Sequence, residues 1–395
     1  MIPAARQPLA WWQHALAIAA LSLTILLRFY PAVTSTAPLG DEMAQEKAFL
    51  EVTAGLSPYL DGNYVYPPSL LRIGAVLRQL PLPSPYIPLR GASILGLAIL
   101  VWYSTGRLDW RPWRRFGAAA LYVGLAPGVR QGIEFGNLSF AVGGCILVAL
   151  LVWLRSPVGS GLLLGASLLL KPLAPAALVA LFCHRPHRPP PPRPPLPGGH
   201  RHHLAVVVAA LAAALALLAD PEFGAFLRHG SDAWVLERTV SLHRFLALAG
   251  LREGASVLSL LLLAGIAAVA RARVTDRDPL LAVALAGCVM VPPVVWNHTL
   301  VLTLPLQAMA IALARQRYRA AAAVERRWRG WEATGIALAV TALTFAEGAT
   351  GIDDRAVALQ IFATLPPALA PLILAVYVLR FHGTQPGPGA EGALR

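Results

Sequence analysis

Long apolar runs separated by short polar segments dominate this chain. A helix needs about 20 mostly apolar residues to cross a bilayer, and runs approaching that length indicate membrane-spanning helices. The first run is too long for the core of a signal peptide and lacks a small-residue cleavage site, so we interpret it as an uncleaved first span. The pattern predicts an all-α polytopic membrane protein with a single domain over residues 1–395. The runs occupy residues 11–30, 89–105, 117–128, 138–154, 161–182, 203–219, 254–270, 279–294, 299–314, 332–347 and 357–380.

The polar segments between the runs fall into a basic class and a mixed or acidic class. Under the positive-inside rule, the arginine-rich segments are cytoplasmic and the mixed or acidic segments are outside. This assignment makes 31–88 a long first outer loop. The outer segments are 31–88, 129–137, 220–250, 295–298 and 348–356.

One run breaks the alternation of the two classes. Run 161–182 has an arginine on each side, Arg155 before it and Arg185 after it. Lys171 and Pro172 lie in its middle, and a proline removes a backbone donor and disfavours helix in the residue before it. Two half-length helices that meet at Lys171 would return the chain to the cytoplasm. We therefore predict about ten full spans plus one broken helix pair, with both termini cytoplasmic.

Composition supports a membrane protein and argues against other classes. The chain is 56% hydrophobic and only 13% charged, where soluble domains carry roughly a quarter charged residues. Its net charge of +13 comes mainly from arginines in the predicted cytoplasmic segments, so we expect no nucleic-acid binding. Cys145, Cys183 and Cys288 have no metal-ligand spacing, and we expect neither a metal nor another cofactor. We expect 184–203 to be a proline-rich cytoplasmic loop and 382–395 to be a disordered tail.

Unusual polar side chains gather on the predicted outer face. Ionisable groups near membrane depth are costly and usually serve a function. Because five distant segments contribute these side chains, the pattern indicates one outward-facing site. They are Asp41 and Glu42, Glu134 and Asn137, Lys171, His243 and Arg244, and Trp296, Asn297 and His298.

Several short motifs follow one another in a specific order between the spans. They are Asp41, Gly55-Leu56-Ser57-Pro58-Tyr59, Tyr66-Pro67-Pro68, Gly136-Asn137, Gly161, Gly165, Lys171-Pro172, Ser241-Leu242, and the segment from Pro292 to His298. Over about residues 12–315, this order resembles glycosyltransferase family 87. That family belongs to the C-type membrane glycosyltransferases, and it includes mannosyltransferases and arabinofuranosyltransferases that use polyprenyl-phosphate sugars.

The resemblance implies an inverting sugar transfer on the outer face of a bacterial plasma membrane. The implied donor is a polyprenyl phosphate that carries a mannose-like or arabinofuranose-like sugar, and the acceptor is a lipid or a glycan. Asp41 is the implied general base, which takes the proton of the acceptor hydroxyl. The leaving lipid phosphate needs positive charge, which Lys171, His298 and Arg244 would supply without a metal.

The resemblance also implies residues that contact the substrates. Tyr59, Tyr66 and Trp296 offer aromatic faces for a sugar, and the motifs around the two tyrosines are expected to shape short juxtamembrane helices. The other expected substrate contacts are Glu42, Glu134, Asn137, His243 and Asn297.

The sequence leaves two other functions open. A broken helix with an intramembrane lysine is also typical of transporters and flippases, but no matching broken helix is evident in the second half of the chain. A non-catalytic homologue in a membrane complex would keep the same fold without the base. The presence of Asp41 and the outer position of the polar residues favour the glycosyltransferase.

Overall fold

The computed structural model is helical in the part of the chain that it describes, and no strand occurs there. Most of the proline-rich loop, 185–200, and the tail from residue 383 lie outside that part. The described residues are 10–59, 64–108, 110–153, 155–184, 201–229, 239–251, 254–274, 276–292, 295–322, 325–345 and 357–382.

The helices follow the predicted apolar runs to within a few residues in most places. In the first half of the described chain they are α1 (Trp11–Arg28), α2 (Tyr30–Thr34), α3 (Gly40–Thr53), α4 (Pro68–Leu77), α5 (Ile87–Gly106), α6 (Pro112–Leu125), α7 (Pro127–Glu134), α8 (Ser139–Val152), α9 (Pro157–Leu170) and α10 (Pro175–Cys183). In the second half they are α11 (Arg201–Leu218), α12 (Phe223–His229), α13 (Leu242–Leu248), α14 (Ala255–Arg273), α15 (Arg277–Met290), a 3-10 helix (Asn297–Thr303), α16 (Leu304–Ala320), α17 (Arg326–Thr344) and α18 (Val357–Phe381).

The first outer loop contains short helices, as the sequence predicts. α4 begins at Pro68, a position where the missing N–H of proline costs nothing. α3 begins after the extended residue Leu39, whose backbone N–H donates to the Glu42 carboxylate at 2.8 Å. The residues around Tyr59 form turns instead of a helix, which corrects that part of the expectation. Asp41 therefore lies in the first turn of α3.

A shared hydrophobic core joins the two halves of the described chain. α8 packs against α5 and α9, and α10 packs against α14 and α15. Gly96 and Gly144 allow α5 and α8 to approach closely, because a Cβ on Gly96 would overlap the backbone of Phe140. Buried aliphatic side chains continue from α5 and α8 through α10 and α15 to α18.

Few of the described helices are long enough to cross a membrane alone. By length and composition, two qualify: Ile87–Gly106 and His298–Ala320, the latter continuous from the 3-10 helix into α16. The number rises to as many as four if two bent pairs each count as one span: α7 with α8, bent by 112°, and α11 with α12, bent by 88°. The predicted count of about ten full spans is therefore not confirmed. Several helices, such as the 14-residue α8 and α9, are shorter than a full crossing requires.

The predicted break at Lys171 is present. α9 ends at Leu170, Lys171 is extended, and α10 begins four residues later. The Lys171 ammonium donates to Ser139 at the start of α8, whereas the ring of His184, just after α10, lies 5.7 Å from the ring of Trp153 at the other end of α8. Both arms of the pair therefore lead back to the same end of α8. This geometry supports a chain that returns to the side from which it came.

We expect a cysteine introduced at Gly199, in a variant without the three native cysteines, to face the cytoplasm. An impermeant thiol reagent should then label it only after the inner face is made accessible, because the α9–α10 pair is predicted to return to the cytoplasmic side. A cysteine at Thr53, exposed at the end of α3, is the matched control and should be labelled in intact cells. Labelling of the Gly199 position in intact cells would contradict the predicted topology.

Candidate active site

The start of α3 is fixed against the turn that joins α7 and α8. The backbone N–H of Asp41 donates to the carbonyl oxygen of Phe135 at 2.8 Å. Gly136 follows with φ of +69°, and a Cβ at that position would lie 2.6 Å from the Glu42 carboxylate. Only glycine fits this left-handed and crowded position without strain. The motif Gly136-Asn137 thus brings Asn137 next to Asp41.

Two donors hold the Asp41 carboxylate in one orientation. Its Oδ2 accepts a hydrogen bond from the Tyr66 hydroxyl at 2.6 Å and another from the Asn137 amide. Burial, and then the charge of Asp41, raise the pKa of Tyr66 well above its usual value, so that its hydroxyl stays a donor. Hydrogen bonds to a charged acceptor contribute about 1.5–3 kcal/mol each. Among the described residues, no donor contacts the other oxygen, Oδ1, which leaves it able to accept a proton.

The orientation of Asn137 is itself fixed by the chain that follows. Its side-chain oxygen accepts from the backbone N–H of Ser139 at 2.8 Å, so its amide nitrogen must point the other way, toward Asp41 and Tyr66. Asn137 is buried, with 2% of its surface exposed. A buried amide with both ends bonded keeps a single rotamer, which makes it a precise positioning group for the carboxylate.

Lys171 reaches the same cluster from the break between α9 and α10. Its ammonium donates to the Ser139 hydroxyl at 2.9 Å and lies 5.6 Å from the centre of the Tyr66 ring. The ammonium is near enough to Asp41 for a direct electrostatic interaction. Ser139 also pairs with the hydroxyl of Thr299, 3.3 Å away on the 3-10 helix. A partly buried carboxylate and a buried ammonium therefore share one site.

His298 stands beside this pair on the 3-10 helix. It interacts electrostatically with Lys171, and its ring stacks on that of Trp296 with centroids 6.5 Å apart. The histidine is 5% exposed, and within the described part of the chain its Nε2 has no hydrogen-bond partner. A buried ring nitrogen without a partner is costly, and it suits a site that a polar ligand completes. The structure thus brings together Asp41, Tyr66, Asn137, Lys171 and His298.

Three predicted substrate contacts do not face this cluster. Glu42 is 2% exposed and forms a buried ion pair with Arg90 on α5, so its carboxylate is not open to a ligand. Glu134 points outward and pairs with Arg130 at 3.0 Å. Tyr59 is packed in an aromatic cluster, where burial first and nearby carboxylates second raise its pKa, and its ring has no face open to a sugar. These residues belong to the framework around the site.

The two residues expected from the outer segment 220–250, His243 and Arg244, have hydrogen-bond partners outside the Asp41 cluster. His243 and Arg244 are on α13, which packs against α14 and α18. His243 pairs with the Ser259 hydroxyl at 2.7 Å, and Arg244 donates to the carbonyl of Thr239 at 3.0 Å. The hydrogen bonds described for these two side chains do not include Asp41, Lys171 or His298. The side chain of Asn297 lies outside the described part of the structure.

Three residues around the site were missed in the sequence. Arg90 lies at the start of an apolar run, and a charge in that position was a signal that could have marked it. Ser139 and Thr299 carry ordinary hydroxyls within apolar runs and gave no such signal. Within the described residues, no group of three His, Cys, Asp or Glu side chains is arranged to hold a metal ion.

Comparisons with known proteins agree with the predicted family. The model of glycosyltransferase family 87 matches residues 64–303, which is more than half of the chain. A solved structure, that of ArnT from Cupriavidus metallidurans bound to undecaprenyl phosphate, aligns with 94% of this chain and 78% of its own, at 16% identity and a TM-score of 0.38. No curated protein matches the chain. The chain belongs to glycosyltransferase family 87 and is an integral membrane glycosyltransferase.

Proposed function

We propose that the protein transfers a mannose-like or arabinofuranose-like sugar from a polyprenyl-phosphate donor to a lipid or glycan acceptor. The reaction takes place at the outer face of a bacterial plasma membrane, in a C-type architecture. One observation carries this proposal: the partly buried Asp41 carboxylate, fixed by Tyr66 and Asn137, shares a site with the buried Lys171 ammonium. Family membership supports the reaction class, and the base and cation match what the transfer needs.

Asp41 acts as the general base of this reaction. As the acceptor oxygen bonds to the anomeric carbon of the sugar, its proton passes to Asp41. The bond between that carbon and the phosphate oxygen breaks at the same time, and the electron pair leaves with the lipid phosphate. Attack from the side opposite the leaving group inverts the anomeric configuration. Positioned proton transfer of this kind contributes about 10²–10⁴-fold to a rate.

Lys171 and His298 meet the charge that develops on the leaving phosphate. Lys171 is 6% exposed, and its ammonium is already directed into the cluster by Ser139. His298 offers a ring nitrogen that has no partner among the described residues. Donors that are oriented before the reaction stabilise a developing negative charge without reorganisation. The Lys171 side therefore takes the phosphate, and the Asp41 side takes the acceptor hydroxyl.

A transfer assay with the purified protein in liposomes tests the donor class. Three radiolabelled donors are compared, polyprenyl-phosphate mannose, polyprenyl-phosphate arabinofuranose and a nucleotide sugar, with a total bacterial lipid extract as acceptor. We expect labelled product with one of the two lipid-linked donors and none with the nucleotide sugar. Transfer from the nucleotide sugar alone would contradict the donor class. Movement of a lipid-linked sugar across the bilayer without transfer would favour a flippase.

A further inference from the structure

A buried arginine next to the site uses every one of its hydrogen-bond donors. The Arg90 guanidinium donates to both oxygens of Glu42, from Nε at 2.8 Å and from a terminal nitrogen at 2.5 Å. Its remaining three N–H groups donate to the carbonyls of Val33, Ser35 and Ala37, at 3.3, 2.5 and 3.0 Å. A guanidinium has five such donors, so none is left over. Arg90 is 5% exposed, which makes a role in binding solvent or substrate impossible without rearrangement.

These five bonds converge on the segment that carries Asp41. The three carbonyls belong to the end of α2 and to the residues that connect it with α3, and Glu42 directly follows Asp41 in the first turn of α3. Glu42 in addition accepts from the backbone N–H of Leu39, which starts that helix. Arg90 thus ties the entry of α3 to α5, and the position of Asp41 depends on this tie.

Arg90 also balances a charge beside the base. Asp41 and Glu42 are adjacent, and both carboxylates act electrostatically on the Tyr66 hydroxyl. Without Arg90, Glu42 would be a buried carboxylate with no cation, directly beside Asp41. Besides Glu46, Lys47 and Glu51 farther along α3, the charged or titratable groups around Asp41 include Glu42 on α3, Arg90 on α5, Tyr66 before α4, the Arg130–Glu134 pair on α7, Lys171 between α9 and α10, and His298 on the 3-10 helix.

We propose that Arg90 is a positioning residue for the catalytic base, which neutralises Glu42 and fixes the first turn of α3 so that Asp41 remains the carboxylate available for proton transfer. This inference rests on the proposed function of Asp41. It assigns Glu42, which the sequence pointed to as a substrate contact, a role as the partner of Arg90. Two separable effects follow, one on geometry and one on charge.

The charge effect appears in the pH dependence of transfer. In Arg90→Gln, the two neighbouring carboxylates lose their cation and should share a proton up to a higher pH, so the acid limb of the kcat profile should move up. In the double variant Glu42→Gln/Arg90→Gln, no unpaired charge remains and the limb should return to its wild-type position. The donor is whichever of the two polyprenyl-phosphate sugars the wild-type protein uses.

The geometric effect appears in Arg90→Lys. Lysine keeps the positive charge but offers a single ammonium in place of the planar guanidinium. The acid limb of the kcat profile should therefore stay at its wild-type pH. The loss of the bonds to Glu42 and the three carbonyls should lower kcat by about 10–100-fold, since small displacements of a catalytic group have effects of this size. The KM for the donor should change by less than about threefold, because the Lys171 side is untouched.

A matched control separates these effects from a general loss of stability. Arg317 on α16 forms a partly buried ion pair with Glu332 on α17, at 2.7 Å and outside the site. Arg317→Gln should lower the melting temperature in detergent but leave the kcat and the pH profile of the folded protein unchanged. If Arg90→Gln does not fold, the test rests on the kcat values of Arg90→Lys and Glu42→Gln. A wild-type kcat in both of these variants would overturn the proposal.

Failure of this proposal can be told from failure of the base assignment. A folded Arg90→Gln with a wild-type kcat and acid limb, beside an inactive Asp41→Asn, would remove the role of Arg90 alone. An active Asp41→Asn would remove the base itself. A limb that stays shifted in the double variant would show that the charge of Glu42 is not the cause, and would also overturn the proposal.

Discussion

Replacing Asp41 by asparagine is expected to abolish sugar transfer while leaving donor binding largely intact. The asparagine oxygen can accept the same hydrogen bonds from Tyr66 and Asn137 that Oδ2 accepts now, so the local geometry should persist. The amide cannot take the proton of the acceptor hydroxyl. We expect turnover to fall by about 10²–10⁴-fold or more. The measurement compares initial transfer rates with equilibrium binding of the lipid-linked donor.

The same helix provides a matched control for this variant. Glu46 lies on α3 as well, but its carboxylate pairs with Arg78 and accepts from the Tyr86 hydroxyl at 2.7 Å, away from the cluster. Its bond with Arg78 lowers the pKa of Glu46, so it is charged at neutral pH and a Gln replacement removes a real charge. Glu46→Gln should keep near-normal turnover. Near-normal turnover in Asp41→Asn would instead show that this residue is not the base.

Removing either Lys171 or His298 is expected to weaken donor binding and to slow transfer. Lys171→Ala and His298→Ala should each lower kcat/KM by about 10²-fold, since both remove a preorganised partner of the leaving phosphate. The two side chains interact electrostatically and would serve a single charge. Their double variant should therefore lose less than the product of the single losses. Fully additive losses would mean that they act in separate places.

The other lysine of the chain is the control for this pair. Lys47 lies on α3 with its side chain 55% exposed, near Glu51, and Lys47→Ala should leave donor binding unchanged. A Lys171 that only reached toward the membrane interface would tolerate Arg or Gln. Its buried contact with Ser139 and the Tyr66 ring predicts that both replacements lose activity. Retained activity in both would leave Lys171 a structural role alone.

Much of the helix pattern and part of the site could be predicted from the sequence. Apolar length located the helices, and the proline after Lys171 marked the break, because both signals are local. The meeting of Asp41, Asn137, Lys171 and His298 followed from assigning each polar segment to one side of the membrane. That assignment needs only the alternation of basic and mixed segments, which survives large errors in helix boundaries.

The rest depended on distances that a linear pattern does not contain. Glu42 looked like a substrate contact because it is an acid beside Asp41. Its carboxylate is instead paired with Arg90, 48 residues away in the sequence. Tyr59 looked like a stacking face, but an exposed and a buried tyrosine have the same sequence signal. His243 and Arg244 come from a segment predicted on the same side of the membrane as Asp41, but their helix α13 packs against α14 and α18. Residues that are predicted on the same side of the membrane therefore need not lie in the same site.

The α9–α10 pair also bears on how such a site could arise. Since both arms lead to the same end of α8, near Trp153 and His184, adding or deleting the pair would not invert any helix that follows. A substitution at the tip, Lys171, would therefore change the charge offered at the proposed reaction centre while the orientation of the following helices is preserved. The arms themselves are held by the core, since α10 packs against α14 and α15.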